Sequence, residues 1–356
     1  MRKMMRIAAG LAVFLMAAGA FCQGIPEYLS VSGTRITGCD KDRLPANLVI
    51  PEGITEIGYV AFKDCTSLKS VTIPAGVTEI GFEAFENCTS LASVTIPASV
   101  RTIGNDAFKD CTSLASVTIP AGVTKIGPSA FGNCTSLASV TIPASVKTVG
   151  YFAFLGCKNI KTVQYRGTLA QWCQMDNDAY YNENVTITLS DVPDLRALKT
   201  LVIPDGVTSI GIRAFTHCKE LTSVTIPASV RTIGHEAFKD CTSLESVTIP
   251  AGVTKIDGFA FQDCTSLKSV TIPETVTEIV TGAFDGCSLE SVTIPSSVRS
   301  MWGDAFSCRN LKTVKYNGTK AQWRKIIING TRASPWAFLD GVTVHCTDGN
   351  IPANQD

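Results

Sequence analysis

The stretch LKSVTIPAGVTEIGFEAFENC, residues 68–88, decides the fold, because variants of it recur along most of the chain. Leu68, Val71 and Ile73 alternate with Ser70 and Thr72, which is the period of a short strand with one face turned inward. Pro74 ends that strand, since proline has no N–H to offer a neighbour. Val77 and Ile80 point inward again, and Gly81 is expected to supply a turn with positive φ. Ala84 and Phe85 are expected to open a short helical turn that seals the rung with aromatic bulk, with Cys88 beneath. One copy cannot close a core alone, but stacked copies share one.

Cys65, Cys88, Cys111, Cys134 and Cys157 stand 23 residues apart; Cys218, Cys241, Cys264 and Cys287 resume the step, and Cys308 follows. The strand positions recur at Leu48/Ile50, Val71/Ile73, Val94/Ile96, Val117/Ile119, Val140/Ile142 and Val163/Tyr165. They return at Leu201/Ile203, Val224/Ile226, Val247/Ile249, Val270/Ile272, Val292/Ile294 and Val314/Tyr316. The sequence therefore predicts an α/β solenoid of short parallel strands and short helical turns in a right-handed, curved stack. At about 4.8 Å per strand, such a stack, if unbroken, runs roughly 55 Å.

The period lapses between residues 166 and 198, and each array closes on a similar phrase: YRGTLAQW (165–172) and YNGTKAQW (316–323). Residues 101–114 and 231–244 differ only where Asn105 and Asp106 become His235 and Glu236, so the second array reads as a duplicate of the first. The expected organisation is a signal peptide (1–20), an N-terminal cap (21–45), a first array (46–165), an irregular connecting segment or cap (166–198), a second array (199–316), a C-terminal cap (317–349) and a tail (350–356). Val280 and Trp302 replace the usual glycine and Met301 the usual isoleucine, so distortion is expected near residues 287–308.

Composition sets the compartment and excludes some partners. Of 356 residues 45% are hydrophobic and 17% charged, with 31 basic and 31 acidic side chains. A basic start, an apolar run from Ile7 to Ala18 and small residues before Phe21 read as a secretory leader. The product is expected to be exported, secreted or associated with the outer surface, with the periplasm as an alternative. Bulky Phe21 fits lipidation of Cys22 poorly. Losing Arg2, Lys3 and Arg6 leaves a slightly acidic chain, which argues against nucleic acid. The mature chain has no stretch apolar enough to span a membrane.

These features resemble the treponemal-type, 23-residue leucine-rich repeat of the BspA-like surface protein family. The unit L-x-x-V-T-I-P-x-x-V-x-x-I-G-x-x-A-F-x-x-C carries the likeness over residues 46–346, and the Y-x-G-T-x-x-Q-W phrase is similar to the usual end of such arrays. The resemblance implies a curved solenoid on or near a bacterial surface, with adhesion or matrix binding in some members. It identifies no ligand, because the repeat specifies architecture.

The candidate ligand surface is the outward row Ser93, Thr95, Ser116, Thr118, Ser139 and Thr141, continued by Ser223, Thr225, Ser246, Thr248, Ser269 and Thr271. A regular hydroxyl ladder suits hydrogen bonding to glycans or peptide groups, with weak contacts summed by avidity; the plainer reading is that threonine suits a solvated strand. Tyr180 and Tyr181, in the central break among Asp176, Asn177, Asp178, Asn182 and Glu183, are expected as exposed contacts. Trp172 and Trp323 are expected to plug the core.

Export permits disulfides, yet equivalent cysteines in a stack point the same way, so the ladder reads as reduced, inert thiols. The chain has no C-x-x-C pair and its histidines sit in separate units, so no metal or cofactor is expected. No G-x-S-x-G, no phosphate loop and no acid pair outside repetitive surface positions appears, and no enzyme is expected. The function read from sequence is a non-catalytic binding protein, an adhesin for protein or glycan on host matrix or another cell. The alternative is an envelope scaffold without a specific ligand.

Overall fold

The computed structural model describes residues 24–179, 181, 184–302, 304–329 and 341–351. Tyr180, Asn182, Glu183, Trp336 and the leader segment lie outside these residues. The fold is a leucine-rich-repeat solenoid of short parallel strands with few helices. The chain forms two compact units, Met1–Gln164 with Asp178–Val185, and Tyr165–Asn177 with Thr186–Asp356.

In the first unit an antiparallel hairpin, β1 (Leu29–Ser32) and β2 (Arg35–Cys39), precedes the repeats. Each repeat then contributes two short strands. The first runs through the Ser-Val-Thr segment, as at Ser70–Thr72, which pairs in parallel with Asn47–Val49 and Ser93–Thr95. The second ends on the following isoleucine, and Ile36, Ile57, Ile80, Ile103, Ile126 and Val149 stand in register along it. The second unit repeats both ladders, with Ser246–Thr248 on Ser269–Thr271 and Ile233 on Ile256 and Ile210.

The Gly-x-x-Ala-Phe-x-x-Cys segment departs from expectation: it forms turns, not helical turns. The N–H groups of Glu83, Phe85 and Asn87 bond the carbonyls of Asn105, Ala107 and Lys109 in the next rung at 2.9, 2.8 and 2.8 Å. Hydrogen bonds that run between rungs leave too few within the chain to build a helix. The turn holds two left-handed residues four apart, and these are Glu83 (φ 53°) and Asn87 (φ 60°), not Gly81. The second of these positions holds Asp64, Asn87, Asp110, Asn133 and Gly156, residue types that tolerate positive φ. Asn87 also donates to Asp64, and Asn133 to Asp110, each at 2.9 Å.

Gly81 is required by close approach instead. A Cβ there would lie 2.8 Å from the Ile57 carbonyl oxygen, and one on Gly104 would lie 2.6 Å from the Gly81 carbonyl carbon. Inside this turn ladder a column of rings runs from Phe62 to Phe154 with successive centroids 5.1, 5.2, 5.3 and 5.5 Å apart. A second column runs from Phe215 to Phe306.

The distortion expected at residues 287–308 is absorbed in the turns. One residue is lost from the Cys-Thr-Ser-Leu turn at Cys287-Ser288-Leu289 and one from Phe-x-x-Cys at Phe306-Ser307-Cys308. The rings of Phe284 and Phe306 still stack at 5.1 Å, and Cys308 Sγ still donates to the Phe284 carbonyl at 3.1 Å.

The segment expected to be irregular holds a short helix, α1 (Leu169–Cys173), matched by α2 (Lys320–Trp323) late in the chain. Both start with a capping box, Thr168 with Gln171 and Thr319 with Gln322. Trp172 and Trp323 are buried against Tyr165 and Tyr316 at 5.5 and 5.2 Å. Trp172 Nε1 donates to the Ala214 carbonyl at 2.7 Å, which satisfies the one polar atom of a buried indole.

Candidate surface: the hydroxyl ladder

Strand alternation turns Val71, Val117, Val140 and Val247 into the core and leaves Val94, Val224 and Val270 half-buried, with the flanking Ser and Thr on the opposite face. Of the twelve ladder residues, Ser93, Thr95, Ser116, Thr118, Ser139, Ser223, Thr225, Ser246, Thr248, Ser269 and Thr271 are exposed and Thr141 is half-buried. Parallel pairing holds them in register: Thr118 lies beside Thr141, Ser223 beside Ser246, and Thr248 beside Thr271. Like hydroxyls are thus repeated at about 4.8 Å, the spacing of adjacent strands.

Hydrogen bonding distinguishes this row from other hydroxyls of the repeat. At two other positions of the repeat, hydroxyls are consumed by carbonyls of the preceding rung: Ser99 donates to Val77 at 2.6 Å, Ser145 to Val123 at 2.7 Å and Ser229 to Val207 at 2.8 Å. Thr78, Thr124 and Thr277 bond Thr55, Arg101 and Thr254 in the same way at 3.3 Å. Among the described residues, none of the twelve ladder side chains makes such a bond. The earliest member of the row differs, because Ser70 Oγ donates to Asn47 Oδ1 at 2.8 Å.

The structure adds two residues that the repeat pattern did not single out. Val49 and Val202 occupy the threonine register of the first strand in each unit, beside Thr72 and Thr225, and are 68% and 66% exposed. An apolar residue at that place was visible in the sequence, but reading Leu48/Ile50 and Leu201/Ile203 as the core pair drew attention away from the position between them. Tyr181 is a correction. Only 8% exposed, it stacks on Phe154 at 5.8 Å, continuing the phenylalanine column rather than facing solvent. Where the repeat period lapses, the last phenylalanine ring has no successor, and the ring of Tyr181 takes that place.

The repeat cysteines, Cys65 to Cys157 in the first unit and Cys218 to Cys308 in the second, are buried free thiols. Cys111 Sγ donates to the Phe85 carbonyl at 3.2 Å and Cys241 Sγ to the Phe215 carbonyl at 3.3 Å. A thiol that donates must keep its proton, and burial pushes Cys111 and Cys218 up to about 12. The imidazole of His217 lies 3.2 Å from Asp240 in the turn ladder, and His345 Nδ1 lies 2.9 Å from Asn350.

The BspA type leucine rich repeat region matches residues 44–186 and 194–312, in six copies. The chain belongs to this family. Among solved structures, this BspA-type protein is similar to a leucine-rich cell surface protein from Faecalibacterium prausnitzii, with 30% identity, TM-score 0.53, and coverage of 86% of this chain and 90% of that one. The pneumococcal vaccine antigen PcpA shares the fold at 19% identity and TM-score 0.57, over 90% of this chain and 79% of that one. A leucine-rich repeat protein from Eubacterium ventriosum does so at 23% identity and TM-score 0.51, over 89% and 87%. No curated protein is significantly similar to the chain.

Proposed function

We propose that this BspA-type protein is an exported, non-catalytic binding protein of a bacterial cell surface, an adhesin that holds a protein or glycan on host matrix or on another cell. The observation that carries this reading is the hydroxyl ladder: eleven of its twelve side chains are exposed, they stand in register, and none is spent on a backbone carbonyl, whereas Ser99, Ser145 and Ser229 are. A buried neutral hydrogen bond contributes only about 0.5–1.5 kcal/mol net, so such a surface gains affinity by engaging many rungs at once. Carbohydrate hydroxyls and extended peptide groups both offer the dense donors and acceptors that a row of this kind can pair. The cell-surface relative from F. prausnitzii supports the location.

The test is display of the folded chain against arrays of matrix proteins and glycans. Saturable binding to a defined class is expected. Flat signal across both arrays, with the protein folded, contradicts the adhesin reading and leaves a scaffold that spaces other components.

A further inference from the structure

In the first unit the thiol ladder has one exception, at its start. Cys88, Cys111, Cys134 and Cys157 each donate Sγ–H to the carbonyl of the phenylalanine 26 residues earlier, at distances from 3.0 to 3.2 Å. Cys65 opens the series, and the residue 26 positions before it is Cys39. Their sulfurs lie 3.4 Å apart. Cys39 ends β2 and is half-buried, whereas Cys65 is 1% exposed. Cys218, which opens the ladder of the second unit, faces the Leu195 carbonyl instead, at 3.6 Å.

We propose that Cys39 and Cys65 are a disulfide site, and that its oxidation staples the N-terminal hairpin to the first rung. A disulfide needs sulfurs about 2.0 Å apart, a movement of roughly 1.4 Å for this pair. The partner is a disulfide donor: a thiol–disulfide oxidoreductase in an oxidising compartment, or oxidised glutathione in the tube. The more accessible Cys39, as its thiolate, attacks one donor sulfur and displaces the other as a thiolate. Cys65, as its thiolate, then attacks Cys39 in the mixed disulfide and releases the second donor thiol. The protein gives up two electrons and two protons, and the donor disulfide becomes two thiols. Cys65 is buried too but is reached from within the fold by Cys39, whereas for Cys88, Cys111, Cys134 and Cys157 a phenylalanine carbonyl stands in that place.

The contact with Cys65, and then burial, pushes the Cys39 thiol up. Both sulfurs are therefore protonated near neutrality, and the rate of closure rises tenfold for each pH unit as thiolate becomes available.

The full chain is reduced, exposed to oxidised glutathione at alkaline pH, quenched with iodoacetamide and digested without reductant. A Cys39–Cys65 peptide pair lighter by two hydrogens is expected, together with roughly tenfold slower amide exchange in the hairpin. Cys39→Ser should abolish the linked pair while the chain remains folded. Glutathione retained on Cys39, alkylated Cys39 with no linkage, or a linkage to Cys22 or Cys346 would overturn the assignment.

Discussion

Truncating one ring of the phenylalanine column tests the shared core at a single atom group. Phe238 is fully buried, with Phe215 5.2 Å on one side and Phe261 5.3 Å on the other. Phe238→Ala removes the ring and opens a cavity between two neighbours that cannot collapse, because their own rungs fix them. The cost expected from such deletions is about 3–5 kcal/mol, of which each lost ring pair accounts for about 0.5–1.5 kcal/mol. Against a typical stability of roughly 5–15 kcal/mol, that is a large fraction. The structure also supplies an internal gradient. Phe62 begins its column and stacks only on Phe85, at 5.1 Å, so Phe62→Ala should cost about 1 kcal/mol less than Phe85→Ala, which loses two stacked pairs. Phe82, 41% exposed, is the matched control and should cost under about 1 kcal/mol. Guanidinium titration followed by far-ultraviolet circular dichroism reads all four variants. If Phe238→Ala cost no more than Phe82→Ala, the rungs would not share an interior.

Three further outcomes follow from other parts of the structure. Gly104→Ala forces a Cβ to 2.6 Å from the Gly81 backbone and should cost about 1–3 kcal/mol by denaturant titration, whereas Gly24→Ala, with open space around it, should be neutral. Burial raises Cys111, Cys173 and Cys218 to about 12 against 9.0 for a free thiol, so the unfolded chain loses these protons first. Their stabilisation is complete below pH about 9 and falls between pH 9 and 12, by about 1.4 kcal/mol per thiol per pH unit; unfolding titrations in reductant at stepped pH should show it. Finally, the Asp191 carboxylate receives the Leu169 N–H at 2.9 and 3.1 Å, and Asp348 receives that of Lys320 at 2.8 Å. Asp191→Ala and Asp348→Ala should each cost about 0.5–2 kcal/mol, read as similar drops in melting temperature.

The strands and the inward positions were legible because a period of two and a step of 23 residues leave only one way to bury Val71, Ile73 and Ile80. The turn was not. Ala84-Phe85 suits a helix locally, but bonds from one rung to the next override local preference, and only the run Asp64, Asn87, Asp110, Asn133 and Gly156 hinted at left-handed backbone. Gly81 was rightly singled out for the wrong reason, since sequence does not distinguish a glycine needed for φ from one needed for close approach. The equivalence of α1 and α2 showed in the Y-x-G-T-x-x-Q-W phrase. Their distant caps did not, because Asp191 and Asp348 lie 22 and 28 residues from the helix positions they serve. Tyr181 was misplaced because it lies beside polar residues in the chain, while its neighbour in space is Phe154. The hydroxyl ladder was legible as a row, but whether its oxygens were free or spent on the backbone depended on three-dimensional contacts.

The most direct measurement compares binding by lysine substitutions on and off that row, using whichever array ligand the native chain holds. Thr118→Lys and Thr248→Lys place a long charge among exposed ladder hydroxyls, whereas Ala121→Lys and Ala251→Lys change exposed residues in the loop that follows each strand. Ladder variants with unchanged melting temperature should bind at least about tenfold more weakly, a loss of about 1.4 kcal/mol, while the loop variants bind as the native chain does. Equal affinity in all four variants would show that recognition lies elsewhere.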